Sequence, residues 1–394
     1  MAMLLEGIRV LDFGRYIAGP YAAMMLADFG ADVIRIERRD GGEDRPLGPV
    51  TASGEGGLFL NLNRNKRGIT LDPAHAGAAE ILRRLVQGAD VVIANLPIDV
   101  LGKLRLDYEA LRAVKEDIIL VMASAFGPDG PYQHRVGFDG VAQAMSGAMG
   151  LTGFPEAPLR SIVPFADYGT ALHAAFGAMA ALYHRAQTGR GQLIDVSLLA
   201  TSVMFMAPLL AERAVTDIRR QRQGNASYWT APSDAYKTRD GWIIVPTIGD
   251  PMFRRWARLV GREDLIDRPR CRDDITRGDN YRLINEVMVP WCAARTRSEA
   301  LEQLERARIP CGPVYELGEV LDDPQVRSRN LLSEIAWPGS SKPVPIANPA
   351  ARLGETPGEI RRRAPTLGEH TDQVLTELGF TAQEIVAFRQ QGVI

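Results

Sequence analysis

The first third of the chain alternates short apolar runs with longer amphipathic segments, and this alternation constrains the fold more than any other feature. Apolar runs of strand length occupy residues 8–13, 31–37, 90–94 and 118–123, and helix patterns separate them. Strands that alternate with helices form a parallel sheet with helices on both faces, so the pattern predicts an α/β fold with a doubly wound sheet. Ligands of such sheets bind beyond the carboxyl ends of the strands.

Two changes of composition predict linkers later in the chain. Residues 214–233 are rich in Arg, Gln and Gly and have weak periodicity, and residues 337–349 are rich in proline. Between them, a strand pattern at 242–246 and a helix pattern near 252–260 indicate a separate α+β unit. The final segment, from about residue 365, has a helical pattern.

The overall composition excludes several protein classes. Lys and Arg total 46 against 48 Asp and Glu, a net charge of −2, so the chain lacks the basic footprint of a nucleic-acid-binding protein. The three cysteines are widely spaced and odd in number, which suits a reducing cytosol. No signal peptide is recognisable, and the longest apolar stretch is taken to be residues 171–183, too short to span a bilayer. We expect a cytoplasmic protein without a membrane segment.

Several common catalytic motifs are missing. The first strand-to-helix turn reads GRYIAGP, which matches neither the GxGxxG fingerprint nor a Walker A loop. The five histidines are scattered, no HExxH occurs, and no serine lies in a GxSxG context. A dinucleotide oxidoreductase, a P-loop NTPase and a metal-dependent enzyme are therefore disfavoured, and we expect no metal site.

Basic residues cluster at two places that we predict to be loops following strands. They are Arg35, Arg38 and Arg39, and then Arg64, Lys66 and Arg67. Arginine and lysine at such positions can bind a phosphate group. The alternative is a solvated charged loop, and composition does not choose between the two.

Asp167 stands at the start of a long run of Ala, Gly, Leu, Phe and Met, and the next acidic residue is Asp195. One interpretation is a helix N-cap, which contributes on the order of 1 kcal/mol. The other is a catalytic carboxylate, because a helix start offers unpaired N–H groups to an oxyanion and the small residues nearby admit a bulky substrate. The helix field lowers the carboxylate pKa, whereas exclusion of water restores its reactivity. The two roles are compatible.

Seven segments, in order from about residue 5 to 385, resemble the class III CoA-transferases. They are VLDFGRYIAGPYAAMMLADFGADVIRIERRDGGEDRP, NLNRNKRGITLD, ADVVIAN, GFDGVAQAMSGAMGLTG, ADYGTALHAAFGAMAALYHRAQTGRGQLIDVSLL, IPCGPV and LGEHTDQVLTELG. Each match alone is weak evidence for the family, but seven matches in the same order along the chain are specific to it.

The resemblance implies a fold and an assembly. Residues 1–213 and 338–394 would form a large Rossmann-like CoA-binding domain, residues 214–233 a linker, and residues 234–337 a small α+β domain. Two subunits would interlock as a homodimer with active sites between the domains.

The resemblance also implies site residues. Asp167 occupies the position of the family's catalytic aspartate. CoA contacts carry over to Tyr16, Ala18, Arg38, Lys66, Arg67, Asn95, Lys103 and Arg135. The segment NLPIDVLGKL departs from the family pattern after Asn95, and Lys103 there replaces a basic residue that reaches a CoA phosphate. Asp139, Arg15, Tyr16 and Tyr228 are candidates for holding or orienting the acid substrates, and the alternative for Asp139 is a second helix cap.

Transferase and racemase activities occur on this one scaffold. A racemase needs two acid/base groups on opposite faces of the α carbon, and its family branch carries a GHD pattern. This chain reads GFD, with Phe138 in place of the histidine and His134 displaced by four residues. The resemblance therefore favours the transferase over a 2-methylacyl-CoA racemase, and a CoA-binding protein or weak acyl-CoA hydrolase is the further alternative.

The transferase reaction would proceed through a covalent aspartyl-CoA thioester, with CoA thioesters as substrates and no tightly bound cofactor. The glycine-rich loop of formyl-CoA transferase has no counterpart in GNASYWTAPSDAYKTRDG, which disfavours oxalate and formyl-CoA. The family's range then suggests succinyl-CoA as donor, with itaconate, mesaconate, citramalate or malate as acceptor.

Overall fold

The computed structural model describes residues 3–394 and contains a six-stranded parallel sheet. Its strands are β1 (Arg9–Asp12), β2 (Asp32–Glu37), β3 (Lys66–Thr70), β4 (Val91–Ala94), β5 (Ile119–Ser124) and β8 (Leu193–Ser197). Two short pairs also form, β6 (Gly153–Phe154) with β7 (Ala157–Pro158), and β12 (Leu332–Ile335) with β13 (Val344–Ala347). A three-stranded sheet has the order β11 (Gly312–Pro313), β10 (Trp242–Pro246), β9 (Ser233–Lys237).

Helices connect the strands and return the chain to the sheet. Before β8 they are α1 (Ala18–Asp28), α2 (Gly57–Leu62), α3 (Ala79–Gln87), α4 (Ile98–Lys103), α5 (Tyr108–Val114), α6 (Asp139–Met145), α7 (Ala148–Leu151) and α8 (Phe165–Thr188). After β8 they are α9 (Leu198–Thr216), α10 (Asp250–Leu259), α11 (Asp274–Asp279), α12 (Tyr281–Ala293), α13 (Arg297–Arg306), α14 (Leu317–Asp322), α15 (Pro324–Ser328), α16 (Thr371–Glu377) and α17 (Ala382–Gln391). Three short 3₁₀ helices lie at Ala76–Ala78, Glu263–Leu265 and Pro269–Cys271.

The strand order of the large sheet is β3-β2-β1-β4-β5-β8, so the direction of winding reverses between β1 and β4. Every neighbouring pair is parallel, for example Val10 with Val33 and Val10 with Val91. The predicted α/β fold with a parallel sheet is therefore confirmed. The reversal point is where open sheets of this type leave a crevice at the carboxyl ends of their strands.

Each face of the sheet carries its own hydrophobic core. On one face, Ile81 of α3, Leu111 of α5 and Val374 of α16 are fully buried. On the other, alanines of α1 and α8 pack closely against Val10 and its neighbours. The alanine and glycine content of α8 is thus explained, because small side chains let this 24-residue helix lie close to both the sheet and α1.

The chain forms two compact units. One takes in the chain up to Gly147 together with Ile162–Pro208 and Gln325–Ile394, and the other takes in Ala148–Ser161 and Leu209–Pro324. The second unit has its own core around Tyr236, Phe253 and Trp256. The domain limits drawn from the sequence stay a prediction.

Two local predictions were wrong. Arg35 lies in β2, and Lys66 and Arg67 lie in β3, so these residues are not in loops. The proline-rich segment 337–349 contains strand β13, which pairs with β12 instead of serving as a bare linker. The strand at 31–37 was itself predicted, and Arg35 lies inside it. Lys66 and Arg67 conceal β3, because charged residues are uncommon in buried strands, and two prolines conceal β13, although its side chains alternate between buried and exposed.

The most membrane-like helix is α9, and not residues 171–183. By length and composition alone α9 could cross a membrane, with a mean hydropathy of 1.5 over the apolar window, of which 17% is buried. Thr201, Ser202 and Pro208 interrupt the apolar run of α9 and make it less conspicuous in the sequence. Such a helix is weak evidence for a membrane span, because core helices and interface helices have the same composition.

Candidate active site

A cavity of about 270 Å³ lies at the carboxyl ends of β1, β4 and β5. Three connecting segments form its walls: the β1–α1 turn with Arg15 and Tyr16, the β4–α4 turn beginning at Asn95, and the loop between β5 and α6. Asp167 at the start of α8 and Leu198 at the start of α9 complete it. The cavity therefore occupies the crevice that the sheet topology predicts.

Asp167 is the third residue of α8 and is only partly exposed to solvent. Among residues 3–394, no group donates a hydrogen bond to its carboxylate. Burial, followed by the negative charge of Asp139, raises the pKa of Asp167 to about 7. The carboxylate is thus more basic than an ordinary aspartate, in spite of the helix field that acts in the opposite direction.

Asp139 performs the capping role that the sequence left open for Asp167. Its buried carboxylate accepts the backbone N–H of Ala166 at 2.9 Å and that of Asp167 at 3.4 Å through Oδ1. Its Oδ2 accepts a hydrogen bond from Gln143 Nε2 at 2.6 Å. The N-cap position of α8 itself is Pro164, which offers no side-chain acceptor, so an acid from α6 satisfies the first turn of α8 instead.

The β1–α1 turn is held in an unusual conformation. Tyr16 has φ of 59°, in the left-handed region that residues other than glycine rarely adopt. Asn95 holds the preceding residue from both sides: its Oδ1 accepts the Arg15 N–H at 2.7 Å and its Nδ2 donates to the Arg15 carbonyl at 2.8 Å. The Tyr16 ring packs edge-on against Phe138, with centroids 5.6 Å apart.

The N-terminus of α1 is open. Within the described residues, the backbone N–H groups of Tyr16, Ile17 and Ala18 have no acceptor, and no side chain caps the helix. Tyr16 and Ala18 line the cavity. Unpaired N–H groups at a helix start, on the same cavity as a carboxylate, are suited to bind a developing oxyanion.

Two arginines and one histidine line the cavity. Arg15 is paired with Glu43 at 3.3 Å, and His134 lies 3.7 Å from Asp99. Arg135 is exposed and lies over the ring of Tyr132, 4.6 Å from its centroid. The structure therefore brings six of the predicted site residues to this cavity: Arg15, Tyr16, Ala18, Asn95, Arg135 and Asp167.

Two other predicted CoA contacts, Lys66 and Arg67, do not line the cavity. Lys66 is fully buried, with its Nζ 2.7 Å from Asp12 Oδ2 and 2.8 Å from the Pro20 carbonyl oxygen. Arg67 is 8% exposed and pairs with Asp32 and Glu377. The charges of both residues are already neutralised inside the fold.

Arg38 and Lys103 are exposed, and neither lines the cavity. Arg38 pairs with Glu43 at 2.8 Å and borders a separate open hollow beside Arg39, Asp40 and Asp72. Lys103 ends α4, the helix that follows the β4 side of the cavity. Tyr228 belongs to the second compact unit, where its hydroxyl lies 2.9 Å from the Gln221 carbonyl oxygen and 3.1 Å from that of Leu151.

Sequence reasoning missed part of the apolar wall. Leu198 follows β8 directly, and Phe126 follows β5, so both stand just past the carboxyl end of a parallel strand. Their position after a strand was a usable signal, because side chains there face the crevice of a doubly wound sheet. Phe138 was recognised as a replacement for histidine but not as a partner of Tyr16.

No group of three or more His, Cys, Asp or Glu side chains that could hold a metal ion is found in the part of the chain that the structure describes. The chemistry available at the cavity is that of the basic carboxylate of Asp167, backbone N–H donors, two arginines, and the imidazole of His134 paired with Asp99.

Comparisons with known proteins agree over nearly the whole length. The family model described as CoA-transferase family III matches residues 5–371. The succinyl-CoA–L-malate CoA-transferase beta subunit of Chloroflexus aurantiacus is 33% identical over 398 residues, covering 99% of this chain and 98% of that protein. The succinate–glutarate CoA-transferase of Agrobacterium fabrum is 34% identical over 382 residues, covering 95% of each chain.

Solved structures give the same answer. The crystal structure of a CAIB/BAIF family protein from Brucella suis matches with a TM-score of 0.85 and 32% identity, covering 96% of this chain and 100% of that one. The family resemblance stated from the sequence is therefore confirmed, and the chain belongs to CoA-transferase family III.

Proposed function

We propose that this protein transfers CoA from succinyl-CoA, or a similar donor, to a small dicarboxylic acid through a thioester formed on Asp167. One observation carries the proposal. The Asp167 carboxylate has a raised pKa, has no hydrogen-bond donor among the described residues, and faces a cavity at the reversal point of the sheet. Relatives named for transfer between succinyl-CoA and malate, or between succinate and glutarate, support this choice of substrates.

The reaction begins with two exchanges at carbonyl carbon. An Asp167 oxygen attacks the thioester carbon of the donor, the C–S bond breaks, and a mixed anhydride and CoA thiolate form. The thiolate then attacks Cγ of Asp167, which releases the donor's carboxylate and leaves an Asp167–CoA thioester. Splitting one transfer into such steps is the advantage of covalent catalysis.

The second half reverses these exchanges with the acceptor acid. The acceptor carboxylate attacks Cγ of Asp167 and displaces CoA thiolate, giving a new mixed anhydride. The thiolate attacks the acceptor's carbonyl carbon, and the Asp167 carboxylate is restored. No proton or electron is gained or lost over the cycle, so neither a general acid nor a redox cofactor is required.

The neighbouring groups support these steps. The open N–H groups of Tyr16, Ile17 and Ala18 are suited to stabilise the tetrahedral oxyanion. Asp139 fixes the backbone of Asp167 and maintains the basicity of its carboxylate. A more basic carboxylate is the better nucleophile, and the apolar cavity wall keeps water from hydrolysing the anhydride.

CoA itself needs cations for its phosphates. We assign this role to Arg135, Lys103 and Arg38, whose side chains are exposed. We leave Lys66 and Arg67 out, because ion pairs inside the fold already occupy their charges. Tyr16 and Ala18 remain proposed contacts for the thioester end, while Asn95 acts through the Arg15 backbone.

The protein is further proposed to work as a cytoplasmic homodimer. Apolar side chains of α8 and α9, including Phe176, Tyr183 and Met204, are exposed by more than 60%. A second copy of the chain would cover this surface and would account for the low burial of α9 without a membrane. The measured molecular mass in solution tests this directly.

The transferase is tested by trapping its intermediate. Enzyme incubated with succinyl-CoA is treated with hydroxylamine or borohydride, and the modified peptide is mapped by mass spectrometry. We expect modification at Asp167 and none in the Asp167→Asn variant. Modification at another residue contradicts the site assignment.

A parallel assay separates the competing activities. The transferase should move CoA to an added acid without exchanging the α hydrogen in heavy water. A racemase would exchange that hydrogen without any acceptor, and a hydrolase would release free CoA. Phe138, which is 63% exposed, cannot transfer a proton and so supports the transferase.

A further inference from the structure

The backbone of Arg15 is fixed by two hydrogen bonds, whereas most of the donors on its side chain have no partner among residues 3–394. Asn95 binds both its N–H and its carbonyl oxygen, so the position of the residue is set. The guanidinium carries five N–H donors, yet the structure records one partner for it, Glu43 at 3.3 Å. Within residues 3–394, the remaining donors of the guanidinium have no acceptor, and Arg15 is one of the residues that line the cavity.

The counter-ion of Arg15 is weakly held. The side chain of Glu43 is 49% exposed, and it also pairs with Arg38 at 2.8 Å. A shared and half-exposed ion pair contributes little to stability. A carboxylate can therefore replace Glu43 on Arg15 without disturbing the fold.

Arg15 also lines the same cavity as the proposed reacting groups. The next residue, Tyr16, packs against Phe138, and the residue after Phe138 is Asp139, which accepts the N–H of Asp167. Arg15 and Asp167 both line the cavity. A dicarboxylic acid has one carboxylate for Asp167 to activate and a second that needs a cation, and a planar guanidinium with spare donors fits that carboxylate.

We propose that Arg15 binds the distal carboxylate of the acid substrate by exchanging it for Glu43, and that this exchange makes the enzyme selective for dicarboxylic acids. The inference rests on the proposed transferase function and adds its substrate-recognising group. Arg135, the other cavity arginine, is exposed and stacks on Tyr132, which suits a phosphate at the entrance better than a small acid.

The test is a competition between two acceptors of equal chain length, glutarate and pentanoate, with succinyl-CoA as donor. The ratio of glutaryl-CoA to pentanoyl-CoA gives the relative kcat/KM and is independent of the donor step. We expect wild type to favour glutarate, and Arg15→Gln to reduce this preference about 10-fold or more, since a charge-assisted contact is lost. Arg15→Lys, which keeps the charge but not the planar fork, should give an intermediate ratio.

Glu43→Gln should act in the opposite direction. Removing the competing anion lowers the KM for glutarate and leaves that for pentanoate unchanged. Arg83→Gln, which breaks the exposed pair with Glu80 on α3, is the matched control and should leave the ratio as in wild type. An unchanged glutarate preference in both Arg15 variants overturns the proposal.

A binding measurement separates this inference from the transferase proposal. Glutarate, but not pentanoate, should raise the Tm of wild type, and it should not raise that of Arg15→Gln. If no CoA is transferred but this pattern holds, the transferase proposal fails and Arg15 stands as a carboxylate site. If CoA is transferred and Asp167 is trapped, yet both arginine variants respond to glutarate like wild type, the Arg15 assignment fails.

Discussion

The side-chain amide of Asn95 holds both backbone polar groups of Arg15, at 2.7 and 2.8 Å, although the two residues are 80 positions apart. This clamp joins the turns that follow β1 and β4, the two strands at which the sheet reverses direction. It also fixes the residue that precedes Tyr16, whose left-handed backbone brings its ring against Phe138. Asn95 is therefore a positioning residue in this structure, and one N–H and one oxygen lone pair of its amide remain available for CoA.

Replacing Asn95 should impair activity more than stability. Asn95→Ala removes both hydrogen bonds, and Asn95→Asp keeps the acceptor but opposes a carboxylate oxygen to the Arg15 carbonyl. We expect kcat/KM to fall about 10-fold or more, because misplacing the turn displaces groups that contact substrate. The matched control is Asn61→Ala: the Asn61 amide also bridges two backbone groups, Gly57 O and Ala347 N, away from the cavity.

A double-mutant cycle tests why Asn95 is needed. Asparagine tolerates the left-handed region better than tyrosine does, so Tyr16→Asn reduces the strain that the clamp must hold. The loss of activity caused by Asn95→Ala should be smaller in the Tyr16→Asn background than in wild type. Equal losses in both backgrounds would show that Asn95 acts independently of the Tyr16 conformation.

The rate should depend on the ionisation of Asp167. Because its pKa is raised to about 7, kcat/KM should fall as the pH is lowered through that value, where the carboxylate becomes protonated. In Asp139→Asn the neighbouring negative charge is gone, so the midpoint should move to lower pH. The plateau rate above pH 8 should also fall, because a less basic carboxylate is a weaker nucleophile.

Two variants of Asp139 separate its charge from its capping role. Asp139→Asn keeps an oxygen for the N–H groups of Ala166 and Asp167, whereas Asp139→Ala removes the acceptor as well. Only the alanine variant should lose the cap, at about 0.5–2 kcal/mol in the free energy of unfolding. An unshifted pH midpoint in both variants would contradict an electrostatic role for Asp139.

The raised pKa of Asp167 also means that its ionised carboxylate destabilises the folded protein. Folded protein binds a proton more tightly at Asp167 than unfolded protein does. The contribution of Asp167 to the free energy of unfolding therefore falls as the pH rises from 3.8, the ordinary pKa of an aspartate, to about 7. Asp167→Asn, which is neutral at every pH, should therefore have a higher Tm than wild type at pH 8. The difference should vanish below pH 3.8, as measured by thermal unfolding across that range.

The sequence predicted the α/β fold and its parallel sheet better than it predicted which charged residues are buried in ion pairs. The parallel sheet followed from the strand–helix alternation, because burial on both faces leaves a clear apolar pattern. Lys66 and Arg67 were assigned to a loop and to CoA, since a basic residue looks the same in sequence whether it faces solvent or a buried acid. The partner of Lys66, Asp12, lies 54 positions away, and no local pattern connects the two.

The same limit applies to Asp167, the carboxylate that we propose reacts. The position of Asp167 at a helix start was readable, because an acid before an alanine-rich run marks a helix N-terminus. Its raised pKa was not, because it depends on Asp139 and on burial by segments distant in the chain. The hydrogen bond from the Ala166 N–H to the Asp139 carboxylate joins residues 27 positions apart. The cap of α8 therefore comes from a residue of α6, which no local sequence pattern indicates.

Lys66 offers a direct choice between the role suggested by the resemblance and the one suggested by its surroundings. Its ammonium is fully buried against Asp12, so Lys66→Met leaves an uncompensated carboxylate and should lower the free energy of unfolding by about 3–5 kcal/mol. The double variant Asp12→Asn with Lys66→Met removes both charges and should be more stable than Lys66→Met alone. Denaturant unfolding measures these differences. Lys103→Met, on an exposed lysine, should instead leave stability unchanged and raise the KM for acyl-CoA. If Lys66→Met raises that KM at unaltered stability, Lys66 contacts CoA and does not act as a structural partner of Asp12.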